Sequence, residues 1–158
     1  MAQESVESGL VAMATAAGPA LPLQLPRPAS TDDIPGGNRV DGSLFVSTFM
    51  APQSKRKQLL AAGISHIVNC TDNFPCKYPA DFAYLQIGGL LDQNNMDYIS
   101  SFDTIVAFIA DAVDAGGRVL VHCASGHSRS GTAALAYIMA RCAGGRRRCS
   151  SAGLMLLH

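Results

Sequence analysis

Between Val119 and Met139 the chain reads VLVHCASGHSRSGTAALAYIM, and few folds accommodate that order of residues. A short apolar run comes first, a turn of small and polar residues follows, and an Ala-rich apolar stretch closes the segment. The first part has the length of a buried strand, and the last has the length of a helix. The turn between them holds a cysteine at its mouth, Cys123, and an arginine at its far end, Arg129. A strand that feeds a helix through so short a turn is a unit of layered α/β folds.

The rest of the chain repeats that alternation. SLFVS, ISHIVNC and FAYLQIGGL are β-type runs bounded by turn residues. QSKRKQLLAAG predicts a helix ending at Gly63. Ile99, Phe102, Ile105, Val106, Ile109 and Val113 recur at three- and four-residue spacing, which predicts an amphipathic helix closed by Gly116 and Gly117. A largely buried helix is expected from Gly131 to about Cys142. The expected fold is α/β, with a mostly parallel central sheet flanked by helices.

Both ends read differently. Residues 1–38 are rich in Ala and Pro, with Pro19, Pro22, Pro26 and Pro28 interrupting any helix, so a disordered arm is expected there. The folded unit is expected over 39–143, and 144–158, with Arg146, Arg147 and Arg148, reads as an irregular basic tail.

A formal net charge of +0 gives no support for general nucleic-acid or membrane binding, so anion recognition must come from a local site. No apolar run reaches the ~18 residues of a membrane span. The five cysteines, at 70, 76, 123, 142 and 149, are odd in number and include no C-x-x-C pair. Free thiols in a reducing, cytoplasmic or nuclear compartment are therefore expected. Cys70 and Cys76 lack the spacing of a common zinc site, and no metal or other cofactor is expected.

The turn has the composition of a phosphate cradle. Ala124, Ser125, Gly126, His127 and Ser128 are small enough, or flexible enough at Gly126, for successive backbone N–H groups to point inward. The helix N-terminus behind them adds positive potential. Arg129 can grip two oxygens of a tetrahedral anion through its planar fork. In the same field a thiol loses its proton far below its free value of about 8.5, so Cys123 is the candidate nucleophile. His122 would support the turn from behind, and Ser130 could donate to the departing sulfur. The leaving oxygen needs a proton from a separate loop. Asp92, in GGLLDQNNMDYI, is the candidate acid, and Asp97 competes with it from what looks like a helix start.

HCASGHSRS resembles the H-C-x-x-G-x-x-R-S signature of the cysteine-dependent protein phosphatases. GGRVLVHC and SRSGTAALAYIM resemble the dual-specificity branch, and the likeness runs from about Val40 to Met139. It implies a protein-tyrosine-phosphatase-like fold lacking its last two helices, because the chain departs from the pattern after Gly144. It also implies that Cys123 forms a phosphocysteine, Arg129 binds phosphate, Asp92 is the general acid and Ser130 assists hydrolysis of the intermediate. The implied substrates are phosphotyrosine and phosphoserine or phosphothreonine in proteins, taken through a shallow cleft without a metal. The competing reading is a regulatory module that binds phosphate without turnover.

Overall fold

The structure is a computed structural model that describes residues 12–14, 34, 37–88 and 98–143. Val119–Cys123 is buried at every position and forms the strand β6. A strand covered on both faces has neighbours on both edges, and β6 lies between β3 (Leu44–Thr48) and β4 (His66–Asn69), parallel to each. β5 (Ala83–Ile87) continues the parallel run beyond β4.

The two edges are antiparallel. β2 (Gly37–Asp41) folds back on β3 through Gly42 and Ser43, and β1 (Ala12–Ala14) pairs with β5. The six strands run in the order β1-β5-β4-β6-β3-β2. The expected mostly parallel sheet is present. Within the arm expected to be disordered, however, Ala12–Ala14 and Gly37–Asn38 are strand. Backbone hydrogen bonds to a sheet edge hold such segments, and they ask little of the side chains; only Val40 is buried in β2.

Alternation in the strands divides the core between two faces. Phe45, Ile67, Tyr84 and Leu120 point to one face, where they meet Ala51 and Leu59. Those two belong to the short helices α1 (Met50–Ser54) and α2 (Arg56–Ala61). Val46, Val68, Leu85, Val119 and Val121 point to the other face. There Ile105, Ile109 and Ala112 of α3 (Tyr98–Asp114) and Ala133, Ala134 and Tyr137 of α4 (Ser128–Ala143) cover them. Small residues on α4 let its backbone approach the sheet closely.

Two boundaries depart from expectation. The single helix expected up to Gly63 is broken at Lys55, whose φ of -113° and ψ of 29° leave the helical region. The last helix starts at Ser128, three residues before Gly131, because the turn itself leads into the helical spiral. The cysteines also need a correction. Cys70, Cys76 and Cys123 are free, but Cys142 near the end of α4 is disulfide-bonded. Count and spacing in a sequence do not report which thiols the fold brings together.

Leu120 is fully buried at the centre of the sheet. Leu120→Ala is expected to lower the unfolding free energy by about 2–5 kcal/mol, read from the midpoint shift in urea at unchanged slope.

Candidate active site

The end of β6 places Cys123 level with Thr48 of β3, while His122 before it lies between Ser47 and Asn69. The chain then turns sharply. Gly126 has φ 78°, in the left-handed region that a side chain disfavours. It is also pressed against β3: a Cβ there would stand 2.9 Å from the Ser47 carbonyl carbon and 2.9 Å from the Thr48 nitrogen. Both facts demand glycine. The turn closes as Gly131 N–H donates to the His127 carbonyl at 3.0 Å, which makes His127 the residue from which α4 departs.

That turn surrounds the sulfur with donors. Gly126 N–H reaches Cys123 Sγ at 3.2 Å, and Ser130 Oγ lies 3.2 Å from the same atom. Cys123 is almost fully buried. Burial alone would push its thiol up. The Ser130 hydroxyl and the backbone N–H groups of Ser130, Gly126 and His127 outweigh that effect, and the thiol lies below its ordinary value. These N–H groups belong to the first turn of a helix or the residues leading into it, where donors have no partner within the helix. The sequence suggested a nearby cation as part of the cause; the leading downward contributions are hydrogen bonds.

Six further expected residues belong to the turn, to the strand end before it or to the first turn of α4. Arg129 is buried in the first turn of α4, and Ala124 is half-buried. Ser125, His127 and Ser128 are exposed. His122, just before Cys123, is buried, and desolvation lowers its imidazole to about 4, so it is neutral at pH 7. Asp92 and Asp97 lie outside the described residues.

The site also rests on residues that the sequence did not single out. Asn69, buried at the end of β4, accepts from Thr71 N–H at 3.1 Å and from Thr71 Oγ1 at 2.6 Å. Its Nδ2 donates to the Phe74 carbonyl at 2.7 Å, and Gln86 Nε2 donates to the Thr71 carbonyl at 3.0 Å. This network shapes the segment beside the cysteine turn. Its one signal in the sequence is Asn69, an amide at the end of the β-type run ISHIVNC. Cys70, directly after β4, is fully buried, and burial with the nearby Cys123 pushes its thiol up to about 12.

The catalytic-domain model of the dual specificity phosphatases matches residues 47–149. The chain belongs to the dual specificity phosphatase family. The chain is 38% identical over 104 residues to mouse dual specificity protein phosphatase 1, covering 65% of this chain and 28% of the relative. It is 37% identical over 117 residues to human dual specificity protein phosphatase 14, covering 74% of this chain and 58% of that protein. The chain thus spans little more than a quarter of the mouse relative and under two thirds of the human one. Among solved structures, a mouse putative dual specificity phosphatase complexed with zinc tungstate superposes with a TM-score of 0.67 at 29% identity, covering 80% of this chain and 77% of that one. The protein-tyrosine-phosphatase-like sheet and its flanking helices are common to both.

The wild-type thiol is expected to titrate below its ordinary value when alkylation by iodoacetamide is followed against pH. A hydrogen bond to a charged group is worth about 1.5–3 kcal/mol, so Ser130→Ala should move the midpoint of alkylation to higher pH by about one pH unit or more. The sign follows from the lost donor: less thiolate is present at a given pH.

Proposed function

We propose that this domain is a dual-specificity protein phosphatase that hydrolyses phosphotyrosine and phosphoserine or phosphothreonine through a phosphocysteine intermediate. The observation that carries the proposal is the acidified sulfur of Cys123, held by Ser130 and Gly126 in a turn that begins a 16-residue helix. Tungstate is a tetrahedral oxyanion of phosphate-like shape, and its presence in the mouse neighbour's complex fits an anion-binding domain.

In the proposed reaction the backbone N–H groups of Ala124 to Ser128 and the guanidinium of Arg129 bind the phosphate oxygens. The Cys123 thiolate attacks phosphorus, forming an S–P bond as the P–O bond to the side chain breaks. Asp92 gives its proton to the departing oxygen. Water then attacks the phosphocysteine, losing a proton to Asp92, and inorganic phosphate leaves as sulfur regains its charge beside Ser130. All groups the cycle requires come from the chain. A cytoplasmic or nuclear site of action belongs with this reading, because the nucleophile must stay reduced. Phosphoproteins are the proposed partners, with no role for nucleic acid or membrane; among the described residues no helix is long and apolar enough to cross a membrane.

Hydrolysis of an aryl phosphate and of phosphopeptides tests the proposal. Cys123→Ser is expected to reduce turnover to background, and Arg129→Lys to lower kcat/KM by about 10²–10³ through loss of the two-pronged grip. Asp92→Asn should cost about 10²-fold with phosphothreonine and less with an activated aryl phosphate, whose leaving group needs less protonation. Phosphopeptide binding by the wild type, with turnover no greater than that of Cys123→Ser, would overturn the enzymatic reading.

A further inference from the structure

The helix α4 has two faces of different character. Ala133, Ala134 and Tyr137 are buried in the core, and Arg141 Nη1 reaches Asp114 Oδ1 at 2.7 Å, which ties the end of α4 to α3. The opposite face meets solvent. Met139 is 62% exposed, Thr132, Ala140 and Ala143 are exposed, and Leu135 and Ala136 are half-buried. These positions recur at three- and four-residue spacing and form one stripe along the helix. The solvent face of a surface helix ordinarily carries charged residues. Here the sequence has none between Ser130 and Ala140. Such a stripe is suited to being covered.

Cys142 borders the same stripe. Leu135, Met139 and Cys142 stand at i, i+4 and i+7, so they follow one another along one edge of it. Cys142 is disulfide-bonded, whereas Cys70, Cys76 and Cys123 are free. The one other cysteine in the sequence is Cys149, which begins CSSAGLMLLH. A disulfide holds its two Cα atoms about 5.5–6 Å apart. Pairing with Cys149 would start this apolar segment, with Leu154, Met155, Leu156 and Leu157 in succession, at the edge of the stripe. The reach is sufficient. Five extended residues span ~17 Å, whereas Met139 and Leu135 lie only ~4.5 and ~10.5 Å from Cys142 along the helix axis.

We infer that Cys142 pairs with Cys149, and that this disulfide seats residues 154–157 on the exposed stripe of α4, over Leu135 and Met139. The tether makes docking intramolecular, so a short apolar segment suffices where a free peptide of that length would dissociate. A disulfide covered in this way resists the glutathione pool that keeps Cys123 reduced. The two thiol chemistries also stay apart, because Cys142 lies ~21 Å along α4 from Ser128 at the cysteine turn. The inference does not depend on the phosphate chemistry at Cys123. A second copy of the chain is the competing occupant of the stripe.

Peptide mapping of the chain prepared without reductant tests both parts. Trypsin cleaves after Arg146, Arg147 and Arg148, so the pairing predicts that residues 142–146 are recovered joined to the peptide beginning at Cys149. Trypsin also isolates residues 130–141, whose one methionine is Met139, and the gain of oxygen by this peptide under hydrogen peroxide reports how well the stripe is covered. Met139 is expected to oxidise about fivefold or more slowly in the wild type than in Cys149→Ser, or than in a chain carrying both Leu154→Asp and Leu157→Asp. These substitutions fall after α4, and circular dichroism verifies that the domain stays folded. Reducing the wild type with a phosphine releases the segment without any substitution, and is expected to raise the rate to the level of Cys149→Ser. Equal oxidation rates in all these chains overturn the docking. A peptide linking Cys142 to any cysteine other than Cys149, or a disulfide-linked dimer, overturns the pairing and favours the second copy.

Discussion

Hydrogen bonds to a buried sulfur are the interaction on which this domain's chemistry depends, and two cysteines show why. Cys70 and Cys123 stand at the exits of adjacent parallel strands, and both are buried in the same core. Burial opposes the charged form of each. For Cys70 nothing outweighs it, and the thiol rises to about 12. For Cys123 the turn into α4 delivers a hydroxyl and three N–H groups, and the thiol falls below its ordinary value. The residue type is the same; the backbone that follows it is different. Cys70 stays protonated at neutral pH as a core thiol, and Cys123 is set apart from it as the proposed nucleophile.

The turn can take that form only because of where β6 lies. Gly126 accepts a left-handed conformation and a backbone approach that no Cβ would survive, and the surface it approaches is the end of β3. β3 is held in place by its parallel pairing with β6, from Leu44↔Val119 to Thr48↔Cys123. Packing on one face by Phe45 and Leu120, and on the other by Val46 and Val121, fixes the pair within the sheet. A shift of one residue in that register would exchange the two faces and move the glycine away from its groove. The stability of the core and the acidity of the sulfur are therefore linked through geometry, without direct contact between most of the residues concerned.

What could be read from the sequence follows the range of the interactions involved. The strand, turn and helix around Cys123 are contiguous, so that segment was legible as one unit, as was the α3 stripe of Ile105, Val106, Ile109 and Val113 at helical spacing. The central strands were legible because they are covered on both sides and read as apolar runs. The edges were not: β1 and β2 are held by pairing to a neighbour, and a strand such as GNRVD has almost no apolar pattern to display. Asn69 and the Phe49–Phe74 stack were hidden for a related reason. Their meaning arises between segments, one from the packing of a loop on a strand end and the other from residues 25 positions apart meeting across it. The disulfide at Cys142 belongs to the same class.

Charge balance explains why the turn carries cysteine, arginine and serine together. In the proposed cycle a thiolate must meet a phosphate that is also negative, and two unit charges at ~4 Å repel by about 4 kcal/mol at an effective dielectric of 20. The Arg129 fork and the inward N–H dipoles act on the phosphate oxygens while Gly126 and Ser130 act on the sulfur, so both anions are held by one turn without a mobile counterion. Once the S–P bond forms, sulfur is neutral and the excess charge has passed to the leaving oxygen. The demand then moves from the turn to the proposed acid. It returns when water breaks the S–P bond, because sulfur must again accept a charge in a buried position, 3.2 Å from Ser130 Oγ. Donors that acidify the resting thiol are thus the same donors that ease its departure, and neither step requires the turn to reorganise.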